Sequence, residues 1–208
     1  MNGNTMKTLI SMAFVVASTT TPIFAGELDS FAPPATPLIV LNTDVGSEWA
    51  GFYVGGDFLV FDGSQTYTGN TPPENFLDGT MLGGFAGFNF QSGQMVYGAE
   101  ASYGLGSVSQ TGDAAYQFTD ILDVKARLGV GVGDALVYGL AGWSNANWDD
   151  NGTDLAASGF SAGLGVDYQV SDGFFVGVEY LYRNLVETQN ADFAAPLRSV
   201  QVRAGLKF

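Results

Sequence analysis

Val200-Gln201-Val202-Arg203-Ala204-Gly205-Leu206-Lys207-Phe208, the last stretch of the sequence, decides the fold. Side chains along an extended strand alternate between two faces. Here Val200, Val202, Leu206 and Phe208 share one face, and Gln201, Arg203 and Lys207 share the other. A period of two excludes an amphipathic helix, whose apolar residues recur every three to four positions. One face of this strand is wholly apolar and the other carries charges. Either the charged face meets water on a soluble sheet, or the apolar face meets lipid and the charged face lines the inside of a barrel.

The same alternation runs back through the chain and settles that choice. Strands are predicted at about 48–61, 78–91, 94–107, 117–132, 135–147, 157–170, 173–186 and 198–208. Each is long enough to cross a bilayer as a tilted strand, which takes ~9–11 residues. In the first, Phe52, Val54, Phe58 and Val60 oppose Tyr53 and Asp57; in the third, Met95, Tyr97, Ala99, Ala101 and Tyr103 oppose Glu100 and Ser102. In the fourth, Val124, Ala126, Leu128 and Val130 oppose Asp123, Lys125 and Arg127. In the sixth, Phe160, Leu164, Val166 and Tyr168 oppose Asp167 and Gln169, and in the seventh Phe174, Val176, Val178, Tyr180 and Tyr182 oppose Glu179 and Arg183. The fifth strand has two largely apolar or small faces and leaves its facing open. Long connections at 62–77, 108–116, 148–156 and 187–197 alternate with short ones at Ser92-Gly93, Gly133-Asp134 and Ser171-Asp172. Strict alternation of long loops and tight turns is the pattern of an all-β, eight-stranded antiparallel up-and-down transmembrane barrel.

The charges follow the same parity. The chain has seven Lys and Arg residues; Lys125, Arg127, Arg183, Arg203 and Lys207 share the inward face with Asp57, Glu100, Asp123, Asp167 and Glu179. Only Lys7, near the start, and Arg198, at a strand end, lie elsewhere. Isolated ions in an apolar core are very costly, but a narrow barrel holds them where they pair. An eight-stranded barrel is just wide enough for its interior to be filled by side chains. A packed, ion-paired lumen is therefore expected in preference to a channel.

Composition excludes several function classes. The net charge of −14 argues against a nucleic-acid partner, because neutralising phosphates takes clustered Lys and Arg. Without Cys there is no disulfide, thiol nucleophile or thiolate metal site. Without His the commonest general base and metal ligand are both missing.

At the other end, Lys7 precedes the apolar run Leu9–Ala17, and Ile23-Phe24-Ala25 offers a cleavage point after Ala25. The run is far short of the ~20 residues of a membrane-spanning helix, so residues 1–25 read as a secretory signal peptide. Residues 26–47, with Pro33, Pro34 and Pro37 and no sustained period, read as an extended periplasmic linker, and 48–208 as the barrel.

Trp49-Ala50-Gly51-Phe52-Tyr53-Val54-Gly55-Gly56 resembles the first strand of small outer-membrane β-barrel proteins, the OmpA-like and OmpX-like group called the porin family, and the quoted C-terminal strand resembles theirs. The resemblance covers about residues 48–208; its termini are the specific part. It implies a bacterial outer-membrane location, contact with outer-membrane lipid and lipopolysaccharide, and a terminal aromatic, Phe208, read by the barrel-assembly machinery as its signal. Unlike full-length OmpA, the chain is expected to end at the barrel, without a peptidoglycan-binding domain.

Other motifs carry less. Asn147-Trp148-Asp149-Asp150-Asn151-Gly152 fits the first half of a calcium-loop pattern, but the twelfth position is Ser158 where a bidentate Glu is needed. An acidic solvated loop is the expectation there, with a loose surface site for divalent cations as the alternative. Gly129, Gly131 and Gly133 precede no helix and are not a dinucleotide loop. Enzymatic barrels of this architecture use a His as base, so no catalytic site, metal or cofactor is expected. The expected function is a structural surface barrel with acidic extracellular loops. The rivals are uptake of a small ligand such as haem, with Tyr67, Tyr116 or Met81 as the available ligands, and a small diffusion pore.

Overall fold

A computed structural model describes residues 48–67, 75–111, 113–150, 152–187 and 193–208. The expected signal peptide 1–25 and linker 26–47 lie outside the described residues. Eight antiparallel strands follow one another: β1 (Gly51–Tyr67), β2 (Asn75–Ser92), β3 (Met95–Gln110), β4 (Asp113–Val132), β5 (Ala135–Asp150), β6 (Thr153–Ser171), β7 (Phe174–Glu187) and β8 (Phe193–Lys207). Each pairs with its sequence neighbours, and β1 also pairs with β8, closing the barrel. Val60 of β1, for example, faces Thr80 of β2 on one side and Val200 of β8 on the other. Closure leaves no unpaired sheet edge, which is the condition for a sheet to sit in hydrocarbon.

Three two-residue turns, Gly93-Gln94, Gly133-Asp134 and Asp172-Gly173, join strands at the end where β1 starts and β8 stops. Their glycines have φ of 61°, 59° and 79°, the left-handed backbone that tight hairpins require and that glycine adopts without penalty. This end is called proximal here, and the opposite end distal.

The distal connections correct the sequence reading. β3 runs to Gln110 and β4 starts at Asp113, and β5 runs to Asp150 and β6 starts at Thr153. The expected long loops 108–116 and 148–156 are therefore mostly strand. The expected loops 62–77 and 187–197 are likewise shortened, by β1 reaching Tyr67, β2 starting at Asn75 and β8 starting at Phe193.

The reason, clearest on β1 and β8, is an inversion of hydrophobic phase along the strand. In the proximal and middle part, outward residues are apolar (Phe52, Val54, Phe58, Val60) and inward Asp57 is charged. Two residues further on the pattern swaps: Asp62 is outward and exposed, while Leu59 and Phe61 are inward and buried. On β8, Ala195 and Leu197 are buried inward, whereas Gln201 and Arg203 are the inward residues closer to the proximal end. A strand leaving lipid for water must exchange its outer face from apolar to polar, and its sealed inner face then turns apolar as in a soluble core. Read as a single pattern, that exchange imitates a strand end. On β4 the confusion is compounded by a bulge at Thr119, where Phe118 and Asp120 face consecutive residues Trp148 and Asn147 of β5. The extra residue moves the inward positions from odd to even numbers.

The fifth strand's facing is decided by the fold. Leu136, Tyr138, Leu140, Ser144, Ala146 and Trp148 are buried inside, and Val137 and Trp143 face outward.

Candidate functional site

The interior is layered. A proximal apolar core contains Trp49, Tyr53, Phe85, Val96, Leu136 and Phe175. A distal core contains Phe61, Leu77, Met81, Phe118, Trp148 and Leu197. Its Phe118 and Trp148 rings meet edge-on at 4.7 Å. Each such side chain contributes about 1.5–3 kcal/mol by leaving water. Charged residues contributed by β3, β4, β6, β7 and β8 form a belt that completes the packed interior.

The belt has two parts. In the larger, three carboxylates meet three cations. Lys125 Nζ stands 2.9 Å from Glu100 Oε1 and 2.8 Å from Glu179 Oε1. Arg127 bridges Glu100 Oε2 at 3.1 Å and Asp167 Oδ2 at 2.6 Å. Arg203 reaches Glu100 Oε2 at 2.5 Å, Glu179 Oε2 at 2.6 Å and Asp167 Oδ1 at 3.6 Å. In the smaller part Arg183 grips Asp123 as a fork, Nε to Oδ1 at 2.9 Å and Nη2 to Oδ2 at 2.7 Å, the bidentate geometry that makes Arg–carboxylate pairs strong. All eight of these charged residues are buried. Carboxylates and cations balance within each part, which is the condition for buried ions to be tolerated.

Neutral neighbours complete the coordination. Tyr53 OH donates to Glu100 Oε2 at 3.0 Å, and Tyr138 OH donates to Glu179 Oε2 at 3.0 Å. Ser144 donates to Asp123 Oδ1 at 2.5 Å, and Gln201 donates to Glu179 Oε1 at 2.5 Å. The Arg127 guanidinium lies 3.9 Å from the Tyr138 ring centroid, and Arg203 lies 3.9 Å from that of Phe85. These partners were beyond sequence reasoning for different reasons. Tyr53 has inward parity but no ladder neighbour that points to Glu100, Tyr138 sits on a strand with two largely apolar faces, and Asp123 meets Arg183 across the lumen rather than along a ladder.

Two expected members of the network stand apart. Lys207 is half-buried at the proximal mouth, donates to Gln169 Oε1 at 3.1 Å and lies 5.3 Å from the Trp49 ring centroid. Among the described residues no carboxylate forms a salt bridge with it. It belongs to the mouth because it comes four residues after Arg203, at the strand's end. Asp57 is buried and faces Gly83 and Arg203 in register. It forms no salt bridge among the described residues, and its Oδ1 has no hydrogen-bond partner there.

The remaining candidates are placed as follows. Asp149 Oδ1 accepts the Gly152 N–H at 2.7 Å, so that carboxylate caps the β5–β6 connection. Asn147 Nδ2 donates to Asp120 at 3.0 and 3.2 Å. Met81 is packed in the distal core, while the side chains of Tyr67 and Tyr116 lie outside the described residues. Phe208 follows β8, its N–H bonded to Phe52 O at 2.8 Å and its ring facing outward.

The family match accords with this architecture. The family model described as outer membrane protein beta-barrel domain matches residues 31–208. The 25 kDa outer-membrane immunogenic protein of Brucella ovis is 27% identical over 216 residues, covering 98% of this chain and 99% of the relative. A 22 kDa outer membrane protein of Rhizobium leguminosarum bv. viciae is 29% identical over 140 residues, 64% of this chain and 63% of its own length. Among solved structures, Neisserial surface protein A is similar with a TM-score of 0.49 at 17% identity, covering 76% of this chain and 98% of that one. The chain therefore belongs to the outer-membrane β-barrel family and is a protein of the bacterial outer membrane.

Proposed function

We propose that this protein is a structural barrel of the outer membrane whose lumen is a plug, with an acidic distal rim and no catalytic centre. One observation carries the reading: the paired charges and the two apolar cores together occupy the barrel interior. A hydrated ion would have to disrupt both the cores and the balanced charges to pass. Asp62, Asp78, Asp120 and Asp149 on the distal extension support the acidic rim. The absence of His from the sequence supports a non-enzymatic role. Phe208 serves in this reading as the signal recognised by the assembly machinery.

The test is electrical. Purified protein inserted into planar bilayers is expected to give no steady unitary conductance above that of lipid alone. Regular, long-lived steps would replace the plug by a diffusion pore. Haem uptake is tested separately by titration, for which no saturable shift of the haem absorbance band is expected.

A further inference from the structure

Two cavities lie one beyond the other on the outer wall of β8, β1 and β2. The distal one, about 170 Å³, is lined by Asp62, Gly63, Ser64, Phe76, Pro196 and Arg198. The other, about 390 Å³, is a furrow where Gly56 and Ala204 leave room between Phe58, Leu82 and Val202. The pair straddles the edge of the apolar band. Val60 faces Val200 across the β1–β8 ladder, and the next outward pair is Asp62 with Arg198. Gly56 and Asp62 are six residues apart, about 20 Å along a strand rising ~3.3 Å per residue. At a tilt of ~45° that is about 14 Å along the membrane normal, close to half the ~30 Å hydrocarbon thickness. The furrow thus lies at the depth of lipid chains and the polar pocket at the depth of their headgroups.

Charge says which lipid. Lys125, Arg127, Arg183 and Arg203 are sealed in the lumen and Lys207 is at the proximal mouth. Among the described residues, Arg198 is therefore the one cation on the distal outer surface. Its salt bridge to Asp62 is long, 3.9 Å, with side-chain exposures of 58% and 77%. An exposed pair of that kind holds its partners weakly. The guanidinium is thus available to an anion, and its planar fork matches phosphate. Phe76 is 63% exposed at a polar level of the wall; an aromatic face in that position suits the C–H face of a sugar. The opposite wall supplies a contrast. A furrow of about 360 Å³ beside Ala126, Leu128, Gly139 and Ala141 has Asp120 and Asn147 distal to it on the same two strands; the Arg127 that also borders it is turned into the lumen, and among the described residues no cation lies outward there.

From these features we infer that the β8–β1–β2 wall binds a phosphorylated glycolipid of the outer leaflet. Its phosphate lies on Arg198, its sugar on Phe76, and one acyl chain in the furrow over Gly56 and Ala204. The site depends on the outer-membrane location, and on the distal end facing outside as in barrels whose tight turns are periplasmic, and is independent of whether the lumen conducts.

The experiment is native mass spectrometry of the folded protein in neutral maltoside micelles with EDTA, using bisphosphorylated lipid A and the same lipid with its phosphates removed. The wild type is expected to retain one bisphosphorylated lipid. Arg198→Gln should lower its occupancy about tenfold, the loss of a charge-assisted phosphate contact. Asp62→Asn, which removes the competing carboxylate, should raise it about two- to fivefold. Opposite signs at adjacent exposed positions separate binding from any folding defect. Removal of the phosphates should mimic Arg198→Gln. Equal retention by Arg198→Gln, or of the dephosphorylated lipid, overturns the assignment. So does full displacement by an equal concentration of inorganic phosphate, which reduces the site to a simple anion pocket. Binding that appears only with added magnesium and ignores Arg198 would assign the lipid to the carboxylates and likewise overturn it.

Discussion

Lys125 and Glu100 face each other directly across the β3–β4 ladder, with the ammonium 2.9 Å from the carboxylate. The pair is not self-contained, because Glu100 also serves Arg127 and Arg203 while Lys125 also serves Glu179. Glu100→Gln should therefore destabilise the barrel more than Lys125→Met, each costing up to ~3–5 kcal/mol as a buried charge loses its partner. The double variant leaves two carboxylates and two cations in this part of the belt, so its cost should be clearly less than the sum. Urea titrations followed by the gel shift between folded and unfolded barrel give the coupling. Additive losses would mean that the charges are individually hydrated.

The inversion of hydrophobic phase makes its own prediction on β8. Val202 is outward in the apolar band, and Leu197 is inward in the distal core. Val202→Arg should cost ~2–4 kcal/mol, as for a cation placed against lipid near mid-depth. Leu197→Ala should cost ~2–5 kcal/mol by leaving a cavity. A Leu197→Ala variant as stable as the wild type would mean that the distal interior is a wet vestibule.

Gly51 opens β1 with φ of 114°, and a Cβ there would strike the Phe208 carbonyl oxygen. Gly51→Ala should lose about 1–3 kcal/mol through backbone strain and disturbance of the β1–β8 seam. The temperature midpoint of the gel shift reads this directly, and an unchanged midpoint would show that the seam adapts.

Phe208 separates assembly from stability. Its ring is 78% exposed to the outside of the barrel, while its backbone N–H makes the bond to Phe52. Phe208→Asp should leave the barrel refoldable in detergent, yet reduce its arrival in the outer membrane of cells to a small fraction. Normal cellular yield and insertion rate would remove Phe208 as the assembly signal.

The sequence by itself determined that the chain is a barrel and which face of most strands is outward, because a period of two is a local property of neighbouring residues. Val200 to Phe208 and Lys125 with Arg127 carry that information with no partner in view. Tertiary structure alone decided where the strands end. Asp62 looks like the start of a loop until β2 and β8 are placed on either side, since the backbone keeps pairing while the surroundings change from lipid to water. It also decided the facing of β5, whose Tyr138 and Trp143 are equally apolar in sequence but lie on opposite sides of a curved wall. Last, it decided which charges meet. Asp123 and Arg183 are sixty residues apart, and only closure of the sheet sets β4 and β7 across the lumen from each other. The same closure leaves Lys207 at the mouth, outside the belt that its parity had assigned it to.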